Sequence, residues 1–134
     1  MKHNLSLYIC SSSRDEHAKI SLLAELKKYR AEVEVLPDTL TDEPFSKKWL
    51  LRTSDRLRRA DFIIFLAGET SWLESDYQWQ LLAARSLQKH RVFMKVHRGE
   101  IPLALSAQPN ATEHVVPFGV HSLSDFLRQM LVVP

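Results

Sequence analysis

One cysteine and three glycines in 134 residues remove several chemistries at once. The lone thiol, Cys10, can form neither an internal disulfide nor a cysteine-based zinc site. With glycine only at Gly68, Gly99 and Gly119, neither a G-x-G-x-x-G turn nor a P-loop can be written. G-x-S-x-G, the turn that exposes a hydrolase serine, is missing too. The histidines, at 3, 17, 90, 97, 114 and 121, fall at no metal-ligand spacing, so no metal is expected. Long apolar runs are also scarce. The longest uncharged one, Phe62 to Gly68, is far short of the roughly 20 residues that cross a bilayer. The opening MKHNLSLYIC holds too few apolar residues for a signal sequence, and a reducing cytoplasm is the expected setting. A net charge of +2 does not argue for nucleic acid, and Arg52, Arg56, Arg58 and Arg59 read as a solvated helix face. With 45% apolar and 25% charged residues, the composition is that of one ordinary globular domain spanning 1–134.

Short β-rich runs alternate with helical patterns. LSLYI (5–9), VEVL (33–36), FIIFLA (62–67), VFMKV (92–96) and HVVPF (114–118) read as strands. Helices are expected over about 16–30, 47–59, 76–89 and from about 123. Ala18, Leu22, Leu26 and Tyr29 line one helical face, while the continuous FIIFLA suits a central strand covered on both sides. SDYQ and SLSD place Ser75 and Ser122 where a helix N-terminus would be capped. Residues 101–111 carry no clear period.

Strands separated by helices predict a three-layer α/β fold with a five-stranded parallel sheet. Right-handed crossovers favour the order 2-1-3-4-5. Ligands of such sheets sit beyond the carboxyl ends of the strands where the order reverses. The loops Cys10 to Glu16 and Gly68 to Asp76 therefore face one crevice, towards which two helix N-termini point, favourably for a phosphate-bearing ligand. The segment 37–49 leaves the same edge and can serve as a lid. A phosphorelay receiver would need carboxylates at these strand ends, which instead read ICSSS and FLAG.

Several crevice residues carry two readings. Cys10 is a nucleophile or a small apolar residue closing its strand. Ser11, Ser12, Ser13 and Arg14 cradle phosphate or cap the first helix. Trp72 and Trp79 stack a planar ring or fill packing space.

The ordered combination of LYICSSSRDEHAKISLLAELKKY, PDTLTDEP and SDRLRRADFIIFLAGETSWLESDYQWQLLAA resembles the TIR domain, in particular the short bacterial TIR-like domains of antiphage defence. The resemblance spans about Leu5 to Val96. It implies a flavodoxin-like TIR fold, self-association, and cleavage of NAD as a substrate at its nicotinamide bond, with no further cofactor. It also implies a diffusible product that reaches a separate effector protein. It places Gln80 where the family carries its catalytic glutamate. Cys10, Ser11, Ser12, Ser13, Arg14, Asp38, Gly68, Trp72, Ser75 and Tyr77 then form the substrate-binding set.

The glutamine matters because a carboxylate stabilises the positive charge of an oxocarbenium-like transition state and an amide does not. Glu74 and Asp76 are rival carboxylates, although helix-dipole pairing also explains them. Gln80 is either natural, in a domain that binds without cleaving, or a charge-removing substitution. On the helical wheel it shares the apolar arc of Tyr77, Leu81 and Ala84, so it contacts a ribose or bonds to backbone. Besides the NAD-cleaving enzyme, two other functions fit the pattern: a catalytically silent TIR scaffold, and an enzyme like the nucleoside deoxyribosyltransferases.

Overall fold

A computed structural model describes residues 5–29, 33–39, 42–68, 71–96 and 112–119, with the helical positions 122, 123, 125, 126, 128 and 129. Strands β1 (Leu5–Cys10), β2 (Val33–Val35), β3 (Phe62–Ala67), β4 (His90–Lys95) and β5 (Glu113–Pro117) alternate with helices α1 (Glu16–Leu26), α2 (Lys47–Arg59) and α3 (Ser75–Ser86). All pairings are parallel, and the order is β2-β1-β3-β4-β5, as the pattern predicted. In the register, Cys10 lies opposite Phe65, which brings the carboxyl ends of β1 and β3 side by side.

Side-chain alternation along the strands divides the core in two. Phe62, Ile64 and Leu66 point with Leu7, Ile9, Val92 and Met94 towards Leu22 and Leu26 of α1 and towards Leu123 and Phe126. Ile63 and Phe65 point the other way, with Tyr8, Cys10 and Phe93, towards Leu57 of α2 and Tyr77, Leu81 and Ala84 of α3. β3 is buried on both faces along its whole length, which is why its sequence is an unbroken apolar run.

The elements depart from the expected boundaries by a few residues. α1 ends at Leu26, and Lys27–Tyr29 tightens into a 3₁₀ turn, a common way for a last turn to satisfy its carbonyls. β4 begins two residues earlier than expected and β5 one residue earlier. Ser75 is not a cap. The capping position is Glu74, whose side chain makes no cap bond; the Asp76 carboxylate instead accepts the Tyr77 N–H at 3.0 Å. Ser46 does cap α2, accepting the Trp49 N–H at 3.1 Å. Residues 101–111 and Ser124 of SLSD lie outside the described residues, while Ser122 and Leu123 are already helical.

At the sheet's amino end, Glu113 accepts from Arg85 and Arg91, each at 2.7 Å. Arg91 also reaches the Lys89 carbonyl and the Thr112 hydroxyl. This cluster ties α3 to β4 and β5 at the end remote from the crevice. On α2, Arg52 pairs with Asp42 and Arg59 with Asp55, and Arg56 reaches the Pro37 carbonyl. Among the described residues no helix is long and apolar enough to cross a membrane.

Candidate functional site

α3 rises from the carboxyl edge of β3 and presents Tyr77, Gln80, Leu81 and Ala84 to the sheet. Gln80 is only 7% exposed, so its amide needs partners at both ends. The Tyr8 hydroxyl donates to Gln80 Oε1 at 3.0 Å, and Gln80 Nε2 donates to the Asp76 carbonyl at 3.1 Å. This orientation is the one physics allows, because the flipped amide would set its oxygen against the Asp76 carbonyl oxygen. Burial pushes the Tyr8 phenol further above its ordinary range, so at neutral pH it remains a hydroxyl able to donate.

The network continues towards the lid segment. Thr39, at the start of that segment, lies 3.5 Å from the Tyr8 hydroxyl and 2.9 Å from the Thr53 hydroxyl of α2. Thr39 and Asp42 are both buried. The described ends of the segment are thus held against β1 and α2.

Above Gln80, a narrow cleft is lined by Cys10, Ser11, Lys19, Asp38, Trp49 and Asp76 together with Tyr8 and Thr39. Its free volume of about 10 Å³ holds roughly one water molecule. A nucleotide enters only when the lining moves. Lys19 of α1, 5% exposed, forms an ion pair with Asp38 across the cleft's edge. The same pair borders a larger cavity of about 360 Å³ between α1 and β2, with walls from Leu23, Leu26, Val33 and Leu36.

Ser11 is 9% exposed, and its hydroxyl has no hydrogen-bond partner among the described residues. A buried hydroxyl without a partner costs roughly 1–3 kcal/mol, which makes it the polar group in the cleft most in need of a ligand. Ser12 is committed to the chain: its Oγ accepts the Arg14 N–H at 3.1 Å and caps the 3₁₀ turn that precedes α1. Arg14 is exposed. Cys10 is buried, and burial first, then the nearby Asp76 carboxylate, pushes its thiol well above the usual range. A thiol kept protonated is a poor nucleophile.

The structure therefore brings Cys10, Ser11, Asp38 and Gln80 into one cleft. Tyr77 lies outside it, packed edge to face on Phe65, with its hydroxyl 3.3 Å from the Leu66 carbonyl. Ser75 is exposed at the start of α3. Gly68 sits beneath Asp15: its N–H donates to the Ser71 hydroxyl, which donates in turn to Asp15 at 3.0 Å. A Cβ on Gly68 would meet the Asp15 carboxylate at 2.0 Å, so glycine is what lets the loops after β1 and β3 close on each other. The side chains of Ser13 and Trp72 lie outside the described set. Trp79 packs on Trp49 at 5.3 Å, and Trp49 on Phe45 at 5.0 Å.

Tyr8, Lys19, Thr39 and Trp49 also line the cleft, although sequence reasoning did not name them. Two of them left a signal. Tyr8 alternates in phase with Cys10 on β1, and Lys19 falls on the 19, 22, 23, 26 arc of α1 that faces the sheet.

No protein-family model matches the chain, and no curated protein matches it. Among solved structures it is similar to the TIR domain of the Toll-related receptor TRR-2 from Hydra magnipapillata, with a TM-score of 0.64. The alignment covers 93% of this chain and 94% of that one. The chain has the TIR fold. At 15% identity this likeness speaks for the architecture alone, and the chemistry of the TIR cleft rests on its residues. Among the described residues no group of three His, Cys, Asp or Glu side chains is placed to hold a metal ion.

Proposed function

We propose that this TIR-fold chain is directed at NAD, with the nicotinamide-bearing ribose received at the cleft above Gln80. The observation that carries the reading is a cleft that sets a buried amide beside a buried serine hydroxyl with no partner among the described residues. These groups hydrogen-bond a sugar hydroxyl without changing protonation state. In the cleavage, the bond between ribose C1′ and the nicotinamide nitrogen breaks, and its electron pair neutralises the pyridinium ring. Positive charge develops on C1′ and the ring oxygen. Water then attacks C1′ and releases a proton, giving nicotinamide and ADP-ribose, unless another hydroxyl of the substrate attacks to give a cyclised product.

At residue 80 this chain offers hydrogen bonds and no charge. Losing one preorganised electrostatic group typically costs about 10²–10³ in rate. The chain as it stands is therefore a slow enzyme that binds its substrate. The wider reading follows from the bacterial TIR-like resemblance: a cytoplasmic antiphage component that self-associates and signals to a separate effector through a diffusible product. A second reading, a TIR scaffold that binds no nucleotide, draws on the engagement of both ends of the Gln80 amide within the protein and on the small free volume above it.

Incubation of the chain and its Gln80→Glu variant with NAD, with nicotinamide measured chromatographically, separates the readings. The NAD reading expects release from both, with the glutamate variant faster by about 10²-fold or more. No NAD binding and no release by either form supports the scaffold. Free base released from a deoxynucleoside, with NAD untouched, points to deoxyribosyl transfer.

A further inference from the structure

We propose that Asp76, rather than residue 80, supplies the negative charge of this cleft, accepting hydrogen bonds from the ribose hydroxyls and facing the positive charge that develops at C1′. The proposal rests on the NAD-directed reading above. Asp76 lies in the first turn of α3, four residues before Gln80, so the two share a helix face one turn apart. Both line the same cleft, together with the buried Ser11 hydroxyl, which has no partner among the described residues. The Gln80 amide bonds the backbone carbonyl of Asp76, which fixes the amide relative to the turn that carries the carboxylate.

One oxygen of that carboxylate accepts the Tyr77 N–H at 3.0 Å, leaving the other for a ligand. Glu74, the other carboxylate near this helix start, is not part of the lining. The Cys10 thiol also responds more to Asp76 than to Glu74, which agrees with Asp76 being the nearer of the two. Lys19 and Asp38 neutralise each other at the cleft's edge. Asp76 is the lining carboxylate that stands outside that pair.

During cleavage Asp76 keeps its charge and takes no proton. The electron pair of the C1′–N bond leaves on nicotinamide, the attacking water adds to C1′, and its proton goes to solvent. The near-isosteric Asp76→Asn variant retains the acceptor for Tyr77 N–H and is expected to fold, which circular dichroism and thermal melting verify.

The experiment compares the chain, Asp76→Asn and Glu74→Gln for NAD binding by calorimetry and for nicotinamide release. Asp76→Asn is expected to slow release by about tenfold or more while the Kd for NAD changes by less than about threefold. Glu74→Gln should match the chain. If NAD binds and Asp76→Asn releases nicotinamide as fast as the chain, or neither releases any, the Asp76 proposal is overturned and the NAD site stands. If no form binds NAD, both are overturned.

Discussion

Removing a single oxygen from Tyr8 is expected to destabilise the protein well beyond what a phenylalanine in an apolar site would suggest. The Tyr8 hydroxyl is the partner of Gln80 Oε1 at 3.0 Å inside the α2–α3 side of the core. Its contact with Thr39, at 3.5 Å, is too long to contribute much. In Tyr8→Phe the amide oxygen stays buried with nothing to accept from, a cost of about 1–3 kcal/mol. For a chain of 134 residues, unfolding entropy of roughly 2.1 cal/mol/K per residue converts each kcal/mol into about 4 °C of Tm. Thermal unfolding should therefore shift down by about 4–11 °C. In Tyr8→Phe/Gln80→Leu, which removes both ends of the bond, the loss should be smaller than the sum of the single losses by about 1 kcal/mol or more. A Tyr8→Phe midpoint within about 1 °C of the parent, or a strictly additive double variant, would refute the claim that this hydroxyl holds the amide.

Two other perturbations probe separate parts of the fold. Glu113→Ala leaves Arg91, now buried without its carboxylate, and should cost about 3–5 kcal/mol in urea unfolding, whereas an exposed pair such as Lys28 with Glu25 should be nearly silent when broken. The Cys10 thiol, pushed up by burial, should resist iodoacetamide at pH 8 in the folded chain and react once urea unfolds it. The unfolded thiol ionises first, so Cys10 favours the folded state fully below about pH 8.5, and its contribution declines as pH rises past that value. A Cys10→Ala variant should lack this part of the decline.

The architecture was legible because the strands differ in kind from the helices. FIIFLA has no helical period and needs cover on two faces, and the alternation of such runs with 3.6-period segments leaves few topologies. The burial of Gln80 was equally legible, since residue 80 lies on the arc of Tyr77, Leu81 and Ala84. Tyr77 is buried as that arc predicts, packed on Phe65; its place in the substrate-binding set came from the TIR resemblance and not from the helical period. The contacts that shape the sheet's carboxyl edge join residues far apart in sequence: Tyr8 to Gln80 in the cleft across 72 positions, and Asp15 to Ser71 between the loops after β1 and β3 across 56. No local pattern encodes such pairs. Ser75 has the residue type of a cap, yet it lies inside the first turn of α3, where the Asp76 carboxylate accepts the Tyr77 N–H.

The central claim is that a nucleotide meets the protein at the Gln80 amide, and that amide carries its own reporter. In a ¹⁵N-labelled chain, the side-chain NH₂ resonances of Gln80, assigned by their absence in Gln80→Leu, should move and saturate as NAD is titrated in. The Tyr8 ring signals should follow with the same Kd. NAD that binds while both stay still, or no binding at all, would contradict the account.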